Sequence, residues 1–352
     1  IITSSKTINS WKVGPTGETI TESLTAKYLG IDISLNNKFI TRNREDSVIR
    51  EARAKAHTIQ GLTRSGLDRS KLTRELWEKC AVPAILYCSE VLIFSKRSIQ
   101  KLETIQNQVG KFMLQIPSSS ANIMVWTDAG MIPMYGRIMI RQACYYWKLN
   151  NSQHDSILNQ CFQEVKSDPT DTWNNHIKSI IEEVGDFTHC SSLKKVKKMI
   201  KNHIINKITV IYNIQASTQA LTLPTTWFAL QKHVNDSMAS STICQIRAGN
   251  MELGNRYVNE AGVQSKICPV CMMKGMGILE LNEVHLLFYC QTIEETRRKQ
   301  GIVEFLKQYE TQQITDKDKI QNYAGNWNTP IKEIMKRGRA AAIMKNKWLQ
   351  LL

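Results

Sequence analysis

One cysteine and histidine pattern restricts the fold of this chain more than any other feature. Cys268, Cys271, His285 and Cys290 follow the spacing C-x2-C-x13-H-x4-C. Two cysteines separated by two residues can hold one metal ion from a single tight turn, and these donors suit tetrahedral zinc. A redox Cys-x-x-Cys pair is the competing interpretation, but it needs no third and fourth donor downstream. We therefore predict one structural Zn²⁺, because a closed four-ligand site leaves no position for a substrate.

The residues between the donors predict how the donors meet. Gly275 and Gly277 would allow the backbone to reverse after the second cysteine. His285 is expected on a short helix, with Leu281 and Phe288 on its inner side and the last ligand at its end. Such a metal ion would mainly stabilise a small fold, so the function has to come from its surroundings.

The charge balance favours a polyanionic partner. The 352 residues include 46 Lys and Arg against 31 Asp and Glu, which gives a formal net charge of +15. Nucleic acid is the most direct partner for such a chain, an anionic membrane surface is a weaker option, and plain solubility is a third. We expect no membrane-spanning segment, since the longest apolar runs are far too short.

Cysteine usage bears on the compartment. The nine cysteines form no disulfide framework and no signal peptide is recognisable, so we expect an intracellular protein of the nucleus or cytoplasm. Cys80, Cys88 and Cys144 lie on apolar helix faces and are expected to be buried. No nucleophile elbow or phosphate-binding loop is present, and we predict no catalytic residue.

The apolar periodicity predicts a mainly α protein with a short N-terminal β-hairpin. Trp11–Val13 and 27–33 would form the strands of this hairpin. Four helices should follow. The first should bury four residues, and the second should kink at Pro83. The third should start with Ser98 as its N-cap, and the fourth should follow Pro133. The four residues predicted for the core face of the first helix are Val48, Ala52, Ala56 and Ile59. The predicted segments are 1–40 (hairpin), 41–150 (helical domain), 151–240 (helical connector with a basic helix), 241–300 (zinc module) and 301–352 (basic helical tail).

Two helices carry clusters of basic residues that could contact phosphates. The first helix places Arg50, Arg53, His57 and Arg64 close together. An amphipathic helix over 192–207 carries Lys194, Lys197, Lys198 and Lys201. Basic side chains along one helix face can follow a phosphate backbone. A solvated outer face is the competing interpretation for both helices, and contact with a membrane surface is a further one for the second.

Several stretches, in order along nearly the whole chain, match one family. They are Lys27-Tyr-Leu-Gly-Ile31; Trp77, Val82-Pro83, Leu86-Tyr87 and Glu90; Ile99, Leu102-Glu103 and Ile105-Gln-Asn107; Gly130-Met-Ile-Pro133 with Arg137; and Gln245-Ile-Arg-Ala-Gly249 before the Cys/His cluster. With this set, the chain resembles the C-terminal portion of non-LTR (LINE-type) retrotransposon reverse transcriptases.

The resemblance implies a division of labour. Segment 1–40 would end the polymerase palm, 41–150 would be a thumb-like helical bundle that grips the primer–template duplex, and the zinc module would engage RNA template or target DNA. The implied partners are RNA template, RNA–DNA or DNA duplex, and an N-terminal polymerase region. Because the first residue is Ile1 and not Met, we expect the chain to be a piece of a longer protein.

The chain also departs from the family. A polymerase of this type needs paired aspartates for two metal ions, and the sequence contains no Asp-Asp pair. We therefore expect no polymerase activity from this chain alone. It also lacks the Pro-Asp nuclease motif of some relatives. The alternative function is a co-opted or decayed remnant that acts as a zinc-stabilised protein-interaction module.

Overall fold

The computed structural model describes residues 10–13, 18–21, 25–28, 31–34, 37–64, 69–152, 156–219, 237–248, 251, 267–276, 280–309, 312, 314–325 and 329–351. Over these residues the protein is mainly helical, as the periodicity predicted. None of the helices in this part of the chain combines the length and the apolar character that a membrane crossing requires.

The N-terminal strands form two hairpins where the sequence led us to expect one. Strand β1 (Ser10–Val13) pairs antiparallel with β2 (Glu18–Thr21), and β3 (Thr25–Tyr28) pairs antiparallel with β4 (Ile31–Ser34). Each strand therefore pairs with its neighbour in sequence, because closing a short loop loses less chain entropy than closing a long one.

Most of the other described residues lie in helices. They are α1 (Asn37–Leu62), α2 (Arg69–Leu76), α3 (Val82–Ile85), α4 (Lys96–Leu114), α5 (Ile123–Thr127), α6 (Met134–Asn150), α7 (Ile157–Ser167), α8 (Thr172–Val184), α9 (Leu193–Gln219), α10 (Ser237–Arg247), α11 (Pro269–Met273), α12 (Glu294–Lys299), α13 (Ile302–Lys307), α14 (Asp316–Ala324) and α15 (Ile331–Leu349). π-Helical turns lie at Trp77–Ala81 and His285–Tyr289, and a 3-10 turn at Gln291–Ile293.

The predicted apolar face of α1 is confirmed. Its four residues are at most 5% exposed: Val48, Ala52, Ala56 and Ile59. Spacings of three and four residues place them on one side of the helix, and removing such a stripe from water is the main stabilisation of a surface helix.

The cap of α4 differs from the prediction. The helix begins at Lys96, and the hydroxyl of Ser95 accepts a hydrogen bond from the amide of Ser98 at 3.2 Å. Ser95 is therefore the N-cap, because an N-cap side chain accepts from an amide two or three residues later. The hydroxyl of Ser98 instead donates to the carboxylate of Glu45 at 2.6 Å.

Two of the three cysteines expected to be buried are not. Cys144 is buried, but Cys80 is exposed and Cys88 is only partly buried. Cys80 lies inside the π-helical turn Trp77–Ala81, where the hydrogen-bonded ring is wider than in an α-helix and the α-helical periodicity behind the prediction does not hold. Cys88 lies beyond the end of α3 with a φ of 62°, so α-helical periodicity does not apply to it.

The chain divides into two compact units. Unit 1 comprises residues 1–58, 78–105 and 134–201, and unit 2 comprises 59–77, 106–133 and 202–352. In unit 1, ion pairs connect the segment around α3 to α6. Arg137 donates twice to Glu78, at 2.8 and 2.5 Å, and Arg141 donates to Glu90 at 2.7 Å. Two-donor guanidinium–carboxylate pairs fix both partners in one geometry.

In unit 2, buried polar side chains connect segments that are distant in sequence. The indole of Trp77 donates to Gln106 at 3.3 Å, and the amide group of Gln106 donates to the carbonyl of Ile132 at 3.0 Å. Asp128 is completely buried and accepts from Arg247 at 2.7 Å. Burial raises the pKa of Asp128, while the charge of Arg247 opposes that rise.

Replacing Asp128 with Asn should destabilise the protein by about 3–5 kcal/mol, because the buried guanidinium of Arg247 would lose its counter-charge. Urea unfolding followed by circular dichroism measures this change. Glu294→Gln is the matched control, since it removes the carboxylate of an exposed pair with Arg298 and should change stability by less than about 1 kcal/mol. Equal effects of the two substitutions would contradict the prediction.

Glu103, on α4, caps α6. Its carboxylate accepts a hydrogen bond from the amide of Tyr135 at 2.9 Å. Burial raises the pKa of Glu103 to about 7, although the amides of Tyr135 and Met134 lower it. The folded chain therefore holds the proton more tightly than the unfolded chain, and this contribution is fully present below about pH 4.5 and lost as the pH rises through 7.

Glu103→Gln should remove this pH dependence while keeping an oxygen that accepts from Tyr135. We expect the variant to match the wild type at pH 4 and to exceed its free energy of unfolding at pH 8 by up to about 3 kcal/mol. Urea unfolding at the two pH values tests the prediction. A constant difference between the two proteins at both pH values would show that Glu103 is ionised throughout.

Candidate metal centre

Cys268 and Cys271 lie at the start of the short helix α11. Cys268 is the N-cap residue, and Pro269 occupies the first turn, where its missing N–H has no intrahelical partner to lose. The amide of Met272 donates to the carbonyl of Cys268 at 3.1 Å. Residues three apart are neighbours on a helix surface, so both sulfur atoms can face one point.

The chain reverses after α11 as predicted at Gly275. Its φ of +70° lies in the left-handed region that favours glycine. An isolated antiparallel bridge between Ile267 and Glu280 closes the loop that holds both cysteines. Gly277, the second glycine of the prediction, lies outside the described residues.

His285 lies on a helix that ends at Cys290, as predicted, but the helix is of the π type. The amide of Cys290 donates to the carbonyl of His285 at 2.6 Å, across five residues. In an α-helix, a residue five positions later is rotated by roughly 140°, whereas an i→i+5 turn brings it back over the first. The x4 spacing between these ligands is therefore matched to a π-helical turn.

The four side chains meet at one buried point. Their ligand atoms all lie within 4.8 Å of one another, and each residue is at most 5% exposed. The sulfur of Cys271 is 3.5 Å from Nε2 of His285 and 3.7 Å from the sulfur of Cys290. In tetrahedral zinc, bonds of about 2.3 Å to sulfur and 2.0 Å to nitrogen place a sulfur and a nitrogen ligand about 3.5 Å apart. Two sulfur ligands are then about 3.8 Å apart. The cluster could therefore hold one metal ion, and its geometry is compatible with structural zinc.

The thiols affect one another's ionisation. A hydrogen bond from Cys290 lowers the pKa of Cys268 well below its usual range, and the same contact raises the pKa of Cys290. Burial raises the pKa of Cys271. A bound cation favours the thiolate form of all three, because only deprotonated sulfur ligates the metal.

An aromatic cluster supports the π-helical turn. Phe288 stacks on Phe305 with ring centroids 6.4 Å apart and meets Tyr323 edge to face at 5.8 Å. The predicted inner residues Leu281 and Phe288 are both buried. The second ligand pair therefore rests on side chains of α13 and α14, which the ligand spacing does not include.

Three residues near the centre were missed by the sequence reasoning. The hydroxyl of Thr292 lies 2.9 Å from the sulfur of Cys290. Arg297 donates to the carbonyl of Cys290 at 2.6 Å, and the indole of Trp348 lies beside the sulfur of Cys268. Only Thr292 is close enough in sequence to a ligand for its position to have suggested a contact. The other two are brought to the centre by α12 and α15.

The predicted nucleic-acid-contacting residues do not join the metal centre but lie on exposed helix surfaces. On α1, Arg50, Arg53 and His57 are exposed at spacings of three and four residues, and Arg64 is exposed two residues after the helix ends. The α9 residues of this set are also exposed: Lys194, Lys197, Lys198 and Lys201.

The opposite side of α9 is buried at every fourth position. The residues of this buried row are Val196, Ile200, Ile204, Ile208 and Tyr212. Ile205, which we placed among the apolar residues of this helix, is 40% exposed because it lies outside that row. The helix is amphipathic and basic, with its lysines in solvent.

Comparison with known proteins found no matching family model, no matching curated protein and no matching solved structure.

Replacing Cys271 with Ser should abolish the binding of one metal ion per chain and unfold the region around residues 267–293. A structural zinc contributes roughly 10–16 kcal/mol of apparent folding free energy in small modules, so the loss should exceed that of an ordinary core substitution. Inductively coupled plasma mass spectrometry measures bound metal, and hydrogen exchange locates the unfolding, which should spare α6 and α8. Cys161→Ser, at an exposed cysteine of α7, is the control. Retained metal and unchanged exchange in Cys271→Ser would contradict the prediction.

Proposed function

We propose that this chain is the C-terminal part of a non-LTR retrotransposon reverse transcriptase. In this proposal it binds primer–template nucleic acid and supplies no catalytic aspartates. The thumb-like helices would hold the RNA–DNA hybrid by its backbone, and the zinc module would contact RNA template or target DNA. A polymerase accepts every sequence, so a grip on phosphates suits it better than contacts to base edges.

The observation that carries this proposal is the placement of the basic residues on α1 and α9. Each helix buries one apolar row and leaves the predicted contact residues in solvent, available to a polyanion. Neutralised phosphates release condensed counterions, which makes such binding strong at low salt and weak at high salt. The net charge of +15 supports the same partner class.

The roles of the family-like residues are compatible with this proposal. Glu103, Gln106, Arg137, Gln245 and Arg247 all form hydrogen bonds or ion pairs inside their own unit. Such residues would maintain the shape of a thumb and zinc module without touching nucleic acid.

We propose that the metal ion is Zn²⁺ with a structural role. Three sulfur donors and one imidazole nitrogen are a common structural zinc set, and harder cations prefer oxygen. All four donors are buried, so the complex would be closed to substrate.

Charge reversal on either helix tests the proposed function. Arg50→Glu/Arg53→Glu on α1 and Lys197→Glu/Lys201→Glu on α9 should weaken binding to an RNA–DNA hybrid. Each lost phosphate contact should also reduce the slope of log K against log salt by about 1. Fluorescence anisotropy between 50 and 300 mM salt measures both quantities.

The matched control is Lys96→Glu/Arg97→Glu, which changes the same charge at two exposed residues of α4. This variant lowers the net charge as much as the other two double variants do. Its affinity for the hybrid should fall less than theirs, because only the change in overall charge acts on it. If all three double variants bind alike, or if wild-type binding ignores salt, the proposal fails.

The second candidate function is a zinc-stabilised protein-interaction module. One observation favours it: Met272 and Met273, beside the ligand Cys271, are 53% and 64% exposed. Exposed methionines are adaptable apolar side chains, common at protein-binding surfaces. Weak hybrid binding, with loss of a protein partner in Met272→Ser/Met273→Ser, would favour this function over the first.

A further inference from the structure

Arg297 is a buried cation beside the metal centre. The residue is 5% exposed and donates to two carbonyl groups, that of Leu287 at 2.8 Å and that of Cys290 at 2.6 Å. Among the described residues, no carboxylate forms a direct ion pair with this guanidinium. Glu294 pairs directly with the exposed Arg298, and its charge acts on Arg297 without a direct contact. A buried charge normally requires a counter-charge.

Trp348 is a buried hydrogen-bond donor on the other side of the centre. It lies in the last turn of α15 and is fully buried. Its indole N–H completes no hydrogen bond of good geometry with the described residues, yet it lies near enough to the Cys268 thiol to help lower the pKa of that thiol. An indole nitrogen can only donate, and an ionised sulfur is a better acceptor than a thiol.

Metal binding would give Arg297 a negative counter-charge and Trp348 a hydrogen-bond acceptor. A divalent ion held by three thiolates and one neutral imidazole has one net negative charge. The guanidinium of Arg297, hydrogen-bonded to the backbone of the ligand Cys290, is placed to balance it. The sulfur of Cys268 would become the acceptor for Trp348.

We propose that Arg297 and Trp348 complete the metal centre as positioning residues: Arg297 is the buried counter-cation of a three-thiolate, one-imidazole complex, and Trp348 donates a hydrogen bond to the Cys268 thiolate. This inference rests on the metal centre proposed above, but not on nucleic-acid binding. Such outer contacts orient ligands and tune metal affinity.

The position of Trp348 extends the consequence to α15. This helix packs against the π-helical turn, the 3-10 turn and α12. It also approaches α10 so closely that a Cβ on Gly338 would lie 2.5 Å from the carbonyl oxygen of Ala239. If Trp348 binds the metal-bound thiolate, the metal must stabilise the docking of α15, and the docked helix must raise the metal affinity equally.

The test measures zinc affinity of the full chain by competition with a chromophoric chelator, and the thiolate-to-metal absorption of the Co²⁺-substituted protein. Arg297→Met and Trp348→Phe should each bind zinc about 10- to 100-fold more weakly than the wild type. Arg297→Lys should recover part of the loss, because it restores the charge. Hydrogen exchange should rise in α15 when zinc is removed from the wild type.

Two control variants make the same chemical changes elsewhere. Arg298→Met removes an exposed neighbouring guanidinium, and Trp173→Phe removes an indole that donates to the carbonyl of Glu90 at 3.1 Å in unit 1. Both should keep wild-type zinc affinity. Circular dichroism checks that each variant folds, and if Arg297→Met does not, Arg297→Lys and Trp348→Phe decide the question.

The outcomes separate the two proposals. If the wild type binds no metal, the metal centre itself is wrong and the inference fails with it. If the wild type binds one ion, but Arg297→Met and Trp348→Phe bind zinc as tightly as the controls, only the inference is overturned. If Arg297→Lys binds zinc as weakly as Arg297→Met, the counter-cation role is overturned.

Discussion

The convergence of three sulfur atoms and one imidazole on a single buried point is the constraint on which the C-terminal part of unit 2 depends. The helices around it, α11, α12 and α13, have five or six residues each. Helices this short are not stable alone, because nucleation costs more than a few hydrogen bonds return. A metal ion held by the four side chains would fix the segment of Cys268 and Cys271 to the π-helical turn, and would give the aromatic cluster and α15 a defined surface to pack on.

Elsewhere in the molecule, buried polar contacts hold separate segments together. Glu103 caps α6, Gln106 satisfies a carbonyl and an indole, and Arg247 meets Asp128 in the interior of unit 2. Glu103, Gln106 and Arg247 belong to the stretches on which the proposed resemblance rests, and Asp128 contacts one of them. Their contacts are structural, because a buried polar group without a partner costs more than the hydrogen bond itself contributes. Among the described residues, these three side chains serve interior contacts, so the proposed nucleic-acid binding would depend on other, exposed side chains.

The basic residues divide according to this distinction. Arg247 and Arg297 are at most 5% exposed and serve interior contacts, whereas Arg50, Arg53 and the lysines of α9 are in solvent. A net charge read from composition counts all of them equally. Only the exposed group can neutralise phosphates, so the footprint on a nucleic acid would be smaller than the composition suggests.

The sequence by itself determined the four members of the candidate metal cluster, the inward face of α1, the helix after Pro133 and the mainly helical class, because each depends on spacing within one short segment. It could not place Cys80, whose exposure follows from a π-helical turn, or choose Ser95 over Ser98 as a cap, since both are good capping residues three positions apart. It also could not find Arg297 or Trp348. Trp348 lies 80 positions after Cys268, and only the packing of α15 against the metal-binding turns brings its indole to that sulfur. Local periodicity predicts which residues lie on the same face of a helix. Which other segment packs against that face depends on contacts between distant parts of the chain, and residue spacing does not predict those contacts.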